Sequence, residues 1–273
     1  MSGAFSSRRL PTRMVEKVWG RDTLPAPFAA PGGQRIGEIW FEPPPEMPRL
    51  LVKYLFTSDK LSVQVHPGED DVLAGEQSKE ECWLVLDAEP GAQLGIGFNR
   101  ELSAEAIGEA ARDGSIEALM TWHDVATGDI FVLPPGTVHA IGAGLSLLEV
   151  QQNSDTTFRL YDYGRPRELH LERALAVARG TPYPAHLRAN VAQRGSALVE
   201  TAHFRLDRVE GMPSDDMHAA YPEACLVLPL EGRVIARDAN ADVRAGPGEC
   251  LLAPSLDAVD FGEAGVTLLT RSA

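Results

Sequence analysis

The sequence predicts an all-β protein made of two related β units, the first interrupted by short helices. Three observations predict it. Glycine (25) and proline (20) are plentiful and scattered, so turns recur along all 273 residues. Short runs rich in β-branched and aromatic residues lie between those turns. The tail also echoes the first half, because "TGDIFVLPPGTVHAI" (127–141) lines up with "PGECLLAPSLDAVDF" (247–261). Gly128 falls on Gly248 and Pro134 on Pro254, while His139 falls on Val259. Only the first copy then keeps the polar residues.

The elements follow in order. "QRIGEIWFE" (34–42), "LLVKYLF" (50–56) and "LSVQVHP" (61–67) read as strands, then "ECWLVLD" (81–87) and "QLGIGF" (93–98). "ELSAEAIGEAARDGSIEALM" (101–120) has the 3.6-residue apolar spacing of one or two short helices. Strand character returns at "DIFVLPPGTVHAIG" (129–142) and "LSLLEVQQ" (145–152). "ELHLERALAVAR" (168–179) reads as a helix whose Leu169, Leu171, Leu175 and Val177 face a core. "GTPYPAHL" (180–187) reads as a linker, dividing a first domain, 1–180, from a second, 181–273. Strands resume at "ALVETAHFRLDRV", "ACLVLPLEGRVIA", "GECLLAPS" and "VTLLT".

Composition narrows the partners. A formal net charge of −14 argues against nucleic acid, whose phosphates select basic surfaces. An anionic small substrate would need a local cluster of Arg and Lys. Cys82, Cys225 and Cys250 match no zinc or redox spacing, and so sparse a set suggests a reducing compartment. The N-terminal segment is basic without an apolar core behind it, and no apolar run reaches the roughly 18 residues of a membrane span. A cytoplasmic protein without membrane contact is expected.

In "LSVQVHP" the side chains alternate: Leu61, Val63 and Val65 on one face, Ser62, Gln64 and His66 on the other. Glu81 heads the next apolar strand, and His139 follows the turn "LPPGT". Two imidazoles, a carboxylate and an amide oxygen are an acceptable donor set for a borderline divalent metal. Taken singly, each histidine reads as well as a surface residue. Glu149 lies in a leucine-rich strand, where a carboxylate is either a paired structural acid or a catalytic one. Trp83, Trp122 and Cys82 read as packing, and His123, His170, His186, His203 and His218 as surface residues.

Several stretches together resemble the type I mannose-6-phosphate isomerases in their short bacterial form: "RIGEIW" (35–40), "LSVQVHP", "KEECWLVLDAEPGAQLGIG" (79–97) and "LPPGTVHAIGAGLSLLEVQQNSDTTFRLYDYGR" (133–165), with "KVWG" (17–20). The resemblance implies an all-β double cupin, two β jelly-roll barrels with short helical insertions. The first domain would be catalytic and metal-binding, and the second a degenerate, metal-free cupin. The resemblance also implies one Zn2+ per chain, other divalent metals being possible, held by Gln64, His66, Glu81 and His139. Lys79, Glu149 and Arg159 would be catalytic, with Arg159, Lys79, Arg165 and Lys53 binding a phosphorylated hexose. The implied reaction interconverts mannose 6-phosphate and fructose 6-phosphate through an enediol(ate). "HPGEDD" (66–71) departs from the commoner His-Pro-Asp-Asp/Glu run but stays acidic. An iron-dependent dioxygenase would use the same ligand types, and a non-catalytic phosphosugar-binding cupin the same scaffold.

Overall fold

The computed structural model describes residues 5–237 and 242–273. In chain order the first unit contains β1 (Arg8–Arg9), β2 (Thr12–Arg21), β3 (Ile36–Phe41), β4 (Leu50–Phe56), β5 (Val63–Val65), β6 (Glu81–Ala88) and β7 (Gln93–Phe98). Helices α1 (Ala104–Asp113) and α2 (Ile116–Leu119) follow, then β8 (Met120–Asp124), β9 (Asp129–Leu133), β10 (His139–Ile141), β11 (Leu145–Gln152) and β12 (Phe158–Tyr161). Helix α3 (Leu171–Val177) and β13 (Arg188–Asn190) complete it. The rest of the chain forms β14 (Ala197–Glu200), β15 (Phe204–Glu210), α4 (Asp215–Ala220), β16 (Cys225–Pro229), β17 (Gly232–Arg237), β18 (Asp242–Ala245), β19 (Leu251–Ala253), β20 (Val259–Ala264) and β21 (Val266–Ser272).

Four antiparallel sheets stack in layers, the all-β, cupin-like arrangement expected. A seven-stranded sheet runs β13-β9-β6-β11-β4-β3-β2, and a five-stranded sheet runs β12-β5-β10-β7-β8. Between these two sheets lies one core, with Leu55, Trp83, Ile96, Phe131 and Leu147 at its centre. Helices α1 and α3 cover the outer side of the five-stranded sheet through Ile107, Ala111, Ala174 and Val177. The outer side of the seven-stranded sheet packs Tyr54, Phe56, Leu84 and Val150 against Leu206, Leu226 and Leu268 of the six-stranded sheet β1-β19-β16-β21-β15-β14. The last core, with Val227, Phe261 and Leu269, fills the space before the sheet β18-β17-β20. Strands β4, β6 and β11 are therefore buried on both faces, which is why they read as almost unbroken apolar runs. A charge in the middle of such a strand has nowhere wet to go.

Helix α1 of the insertion is capped at both ends. Ser103 accepts a hydrogen bond from the Ala106 N–H, and Gly114 ends α1 at φ 83°. Leu169 lies outside α3 and is exposed, so only Leu171, Leu175 and Val177 of its predicted face pack inward. The 180–187 segment is pinned rather than free. Tyr183 donates to the Val132 and Leu187 carbonyls, and β13 pairs with β9, so the first unit's sheet extends to Asn190. In return β1 crosses over to pair with β19. Close backbone approach makes one glycine testable: a Cβ on Gly180 would sit 2.0 Å from the Leu102 carbonyl oxygen. Gly180→Ala should lower the thermal midpoint by about 2–10 °C, as overpacking of about 1–3 kcal/mol would. Scanning calorimetry reads it, and an unchanged midpoint would show that the segment yields.

Candidate metal centre and adjoining cavity

The polar face of β5 points into the barrel. Val63 and Val65 pack beneath the helices, which turns Gln64 and His66 toward the inner core. Cross-strand register then assembles the site. Gln64 lies directly opposite His139 on β10 and opposite Arg159 on β12, so the three side chains share a face. From the facing sheet comes Glu81, at the start of β6. The turn after β9 is tied to the end of β5 by a Gly136 N–H donating to the His66 carbonyl at 2.8 Å. Lys79 is likewise held by its N–H to Pro67 O.

The two histidines are set up alike. His66 Nδ1 lies 2.8 Å from Thr156 O and His139 Nδ1 lies 2.9 Å from Thr137 O. A carbonyl can only accept, so each Nδ1 carries the proton and each Nε2 presents a lone pair. His66 Nε2 is 3.4 Å from Glu81 Oε2, and His139 Nε2 is 3.3 Å from Glu81 Oε1. One donor atom from each of the three falls within 4.8 Å of the others, and all three residues are buried. Burial, with Lys79 adding to it, pulls the His66 pKa down to about 3, and burial lowers that of His139. Both rings are thus neutral near pH 7, as metal ligation requires. Glu81 is the reverse case. Burial alone would raise its pKa, but the Lys79 ammonium holds it well below the usual range.

These residues fit a divalent ion. Glu81 Oε2 is buried and accepts no aligned hydrogen bond; Lys79 Nζ lies 2.7 Å away, but at an unsuitable angle. Gln64 Nε2 faces His139 Nε2 at 3.2 Å while its Oε1 meets Ser62 Oγ. Rotating the amide end over end would turn Oε1 inward, and the serine hydroxyl can accept as readily as donate.

A cavity of about 90 Å3 adjoins the cluster. Its lining includes five cations (Lys17, Lys53, Lys79, Arg159 and Arg167) against three carboxylates (Glu38, Glu81 and Glu149). Lys53 Nζ lies 3.2 Å from Glu149 and 3.7 Å from Glu38, while Lys79 Nζ lies 3.5 Å from Glu149. Burial acts to lower the Lys53 pKa, but Glu149 and then Glu38 outweigh it and raise it. For Glu149 burial wins, pushing the carboxyl up to about 7, with Glu81 adding to the rise and Lys53 and Lys79 opposing it. Arg159 is half-buried, and its Nε has no hydrogen-bond partner. Among the described residues its guanidinium forms no ion pair, the one cation of the lining in that condition.

Of the residues singled out in the sequence, Gln64, His66, Glu81, His139, Lys53, Lys79, Glu149 and Arg159 come together here. Arg165 does not. Its guanidinium is held outside the cavity by Asp59, Asp162 and the Lys60 carbonyl. Arg167 stands in the lining instead, gripped by Asp162 through two bonds of 2.6 Å. Sequence reasoning passed over Arg167, Glu38 and Lys17. A signal existed for Glu38, because "RIGEIWF" places a carboxylate inside a strand apolar on both faces.

No family model matches the chain. Mannose-6-phosphate isomerase ManA of Bacillus subtilis is 36% identical over 201 residues, covering 68% of this chain and 64% of ManA. The mannose-6-phosphate isomerase of Streptococcus mutans is 43% identical over 136 residues, covering 47% of this chain and 43% of that protein. The chain is a relative of the mannose-6-phosphate isomerases. It spans less than two thirds of the length of these curated relatives. The crystal structure of the Bacillus subtilis mannose 6-phosphate isomerase superposes with a TM-score of 0.76, covering 98% of this chain and 100% of that one at 22% identity. A mannose 6-phosphate isomerase solved in a zinc-bound holo form superposes at 0.69, with 15% identity and coverage of 98% and 100%. At such identities the superpositions speak for the fold. Among the described residues no helix is long and apolar enough to cross a membrane.

Proposed function

We propose that the protein interconverts mannose 6-phosphate and fructose 6-phosphate. One observation carries the reading: an N/O donor set for a divalent ion shares a cavity wall with an unpaired arginine, in a lining rich in cations. In a chain of net charge −14, that local excess of positive charge suits a phosphorylated substrate. The curated relatives support the same substrate. An iron oxygenase uses the same two-histidine, one-carboxylate set, but an apolar substrate gains nothing from the cationic lining.

In this reading His66, Glu81 and His139, with Gln64 as the fourth donor, hold one zinc ion. When bound, the ion would supply Lewis-acid stabilisation of the negative charge that develops on the substrate. Arg159 binds the phosphate through its forked donors, with Arg167 beside it in the wall. Glu149, between two lysines, takes the proton from C2 and returns it to C1, while the hydroxyl proton passes from O2 to O1. Lys79 and Lys53 face the negative charge of the enediolate between those steps.

A coupled assay for fructose 6-phosphate tests the reading directly. Turnover should vanish with a chelator and return with zinc. Zinc-loaded protein that binds the sugar without converting it would leave a binding protein, and this reading would fall. Arg159→Ala should keep folding and metal content while activity falls at least ~100-fold, the scale of one lost charge-stabilising donor. Near-normal turnover at both low and saturating substrate would make Arg159 a bystander.

A further inference from the structure

Five neighbouring strands each place one charged side chain on the inner face of the seven-stranded sheet. In sheet order they are Glu81 on β6, Glu149 on β11, Lys53 on β4, Glu38 on β3 and Lys17 on β2. From Glu149 outward the signs alternate. Lys53 bridges Glu149 and Glu38 at 3.2 and 3.7 Å, and Lys17 meets the far oxygen of Glu38 at 3.2 Å. Trp40 Nε1 donates to that same oxygen at 2.9 Å, and the Trp40 ring lies 5.5 Å from the Lys53 ammonium. Glu38 and Lys53 are each only 8% exposed, whereas Lys17, at 31%, reaches toward solvent.

Such a row is a poor way to stabilise a barrel. Removing charges from water costs about as much as their pairing returns, and an apolar layer of equal volume often serves better. On the same inner face Leu55, Leu147 and Val85 show that an apolar side chain fits between the two sheets. The row occurs where the cavity wall is.

We propose that Glu38 is a positioning residue: anchored by Lys17 and Trp40, it holds the Lys53 ammonium against Glu149 at the reacting end of the cavity. A lysine stem has several rotamers, and a single partner on one side leaves the ammonium free to swing. Carboxylates on both sides fix it. Glu38 thus acts through Lys53, not on the sugar. The kinetic arm rests on the isomerase reading, and the spectroscopic arm on the geometry of the charged row alone.

The test combines a double-mutant cycle with NMR of zinc-loaded full-length protein labelled with 15N at lysine Nζ. Glu38→Gln keeps size and the acceptor for Trp40 but removes the charge. It should lower kcat about 10- to 100-fold, the cost of a displaced catalytic geometry, with KM within about twofold and with unchanged metal content. Lys53→Met should lower kcat at least as far, and adding Glu38→Gln to it should change nothing further. The ammonium resonance of Lys53, slow to exchange because it is buried and paired, should shift or vanish in Glu38→Gln. Should Glu38→Gln not fold, Glu38→Asp keeps the charge one methylene back and should show smaller losses in the same direction. A kcat within twofold of wild type, losses that multiply in the double variant, or an unaltered Lys53 resonance would each overturn the proposal. Multiplying losses with a raised KM would mean that Glu38 binds the sugar directly. If the wild-type protein does not isomerise mannose 6-phosphate, the function reading falls, and the Lys53 resonance alone decides the role of Glu38.

Discussion

His139→Ala should lose the divalent ion and the proposed isomerase activity together. Three protein atoms from His66, Glu81 and His139 lie within 4.8 Å of one another, and His139 supplies one of two neutral nitrogens. Its ring cannot be replaced from nearby, because it is buried and its orientation is fixed by the bond from Nδ1 to Thr137 O. Loss of the ion removes several kcal/mol of charge stabilisation, so activity should fall at least ~1000-fold. Metal content after reloading and dialysis reads the first part, and the coupled assay the second. Arg159→Ala is the matched control, because it should lose activity while keeping the ion. A His139→Ala protein that retains one equivalent of zinc at wild-type affinity would remove His139 from the ligand set.

The inward face of β5 that carries Gln64 and His66 was legible because β5 is short and its polarity is local. "VQV" between Ser62 and His66 can bury only one face as apolar, and helices α1 and α3 take Val63 and Val65. Gln64 and His66 must then face the other way, and a second sheet is there to meet them. The charged row was not legible as a row. Lys17, Glu38, Lys53 and Glu149 are far apart in sequence, and only the register of four paired strands aligns them. β2 was missed for a related reason, since its half-exposed edge carries Arg13, Glu16, Lys17 and Arg21 at irregular spacing and reads as a basic tail. Arg165 and Arg167 show another limit. The chain turns at Tyr163 and Gly164, both at positive φ (54° and 75°), and Asp162 grips both arginines. Spacing alone does not say which of the two that turn delivers to the cavity.

The second unit shows what the same pattern does without the histidine. Val259 takes the place that the repeat assigns to His139, and it packs with Phe261, Val227 and Leu269. Its six-stranded sheet closes the outer face of β4, β6 and β11 against Tyr54, Phe56 and Leu84. With much of that side sealed by apolar contact, the buried charges of those strands lie on the inner face. Lys53, Glu81 and Glu149 thus owe their burial partly to a unit none of whose described residues line the cavity.

Glu149→Gln should abolish proton transfer while leaving the metal site filled. Glu149 is not among the proposed ligands, and its nearest charged partners are Lys53 at 3.2 Å and Lys79 at 3.5 Å. Its Oε1 is buried and accepts no aligned hydrogen bond, so one lone-pair region is not committed to the protein. Burial raises its pKa to about 7, against the pull of the two lysines. A base whose pKa lies near the working pH accepts a carbon-bound proton and returns it with little loss in either direction. Wild-type kcat should therefore rise as pH passes upward through about 7, because the base form is the deprotonated carboxylate and is lost below that value. In Glu149→Gln kcat should fall ~100- to 10,000-fold, the range for a lost general base, and any residue of activity should lack that rise. Exchange of the C2 hydrogen of mannose 6-phosphate with deuterated solvent, followed by NMR, isolates the step from product release. Glu149→Gln should stop it with zinc content and thermal midpoint near wild type. Exchange at a rate within tenfold of wild type would move the base elsewhere, and Lys53, its charged neighbour in the wall, would be the first residue to test.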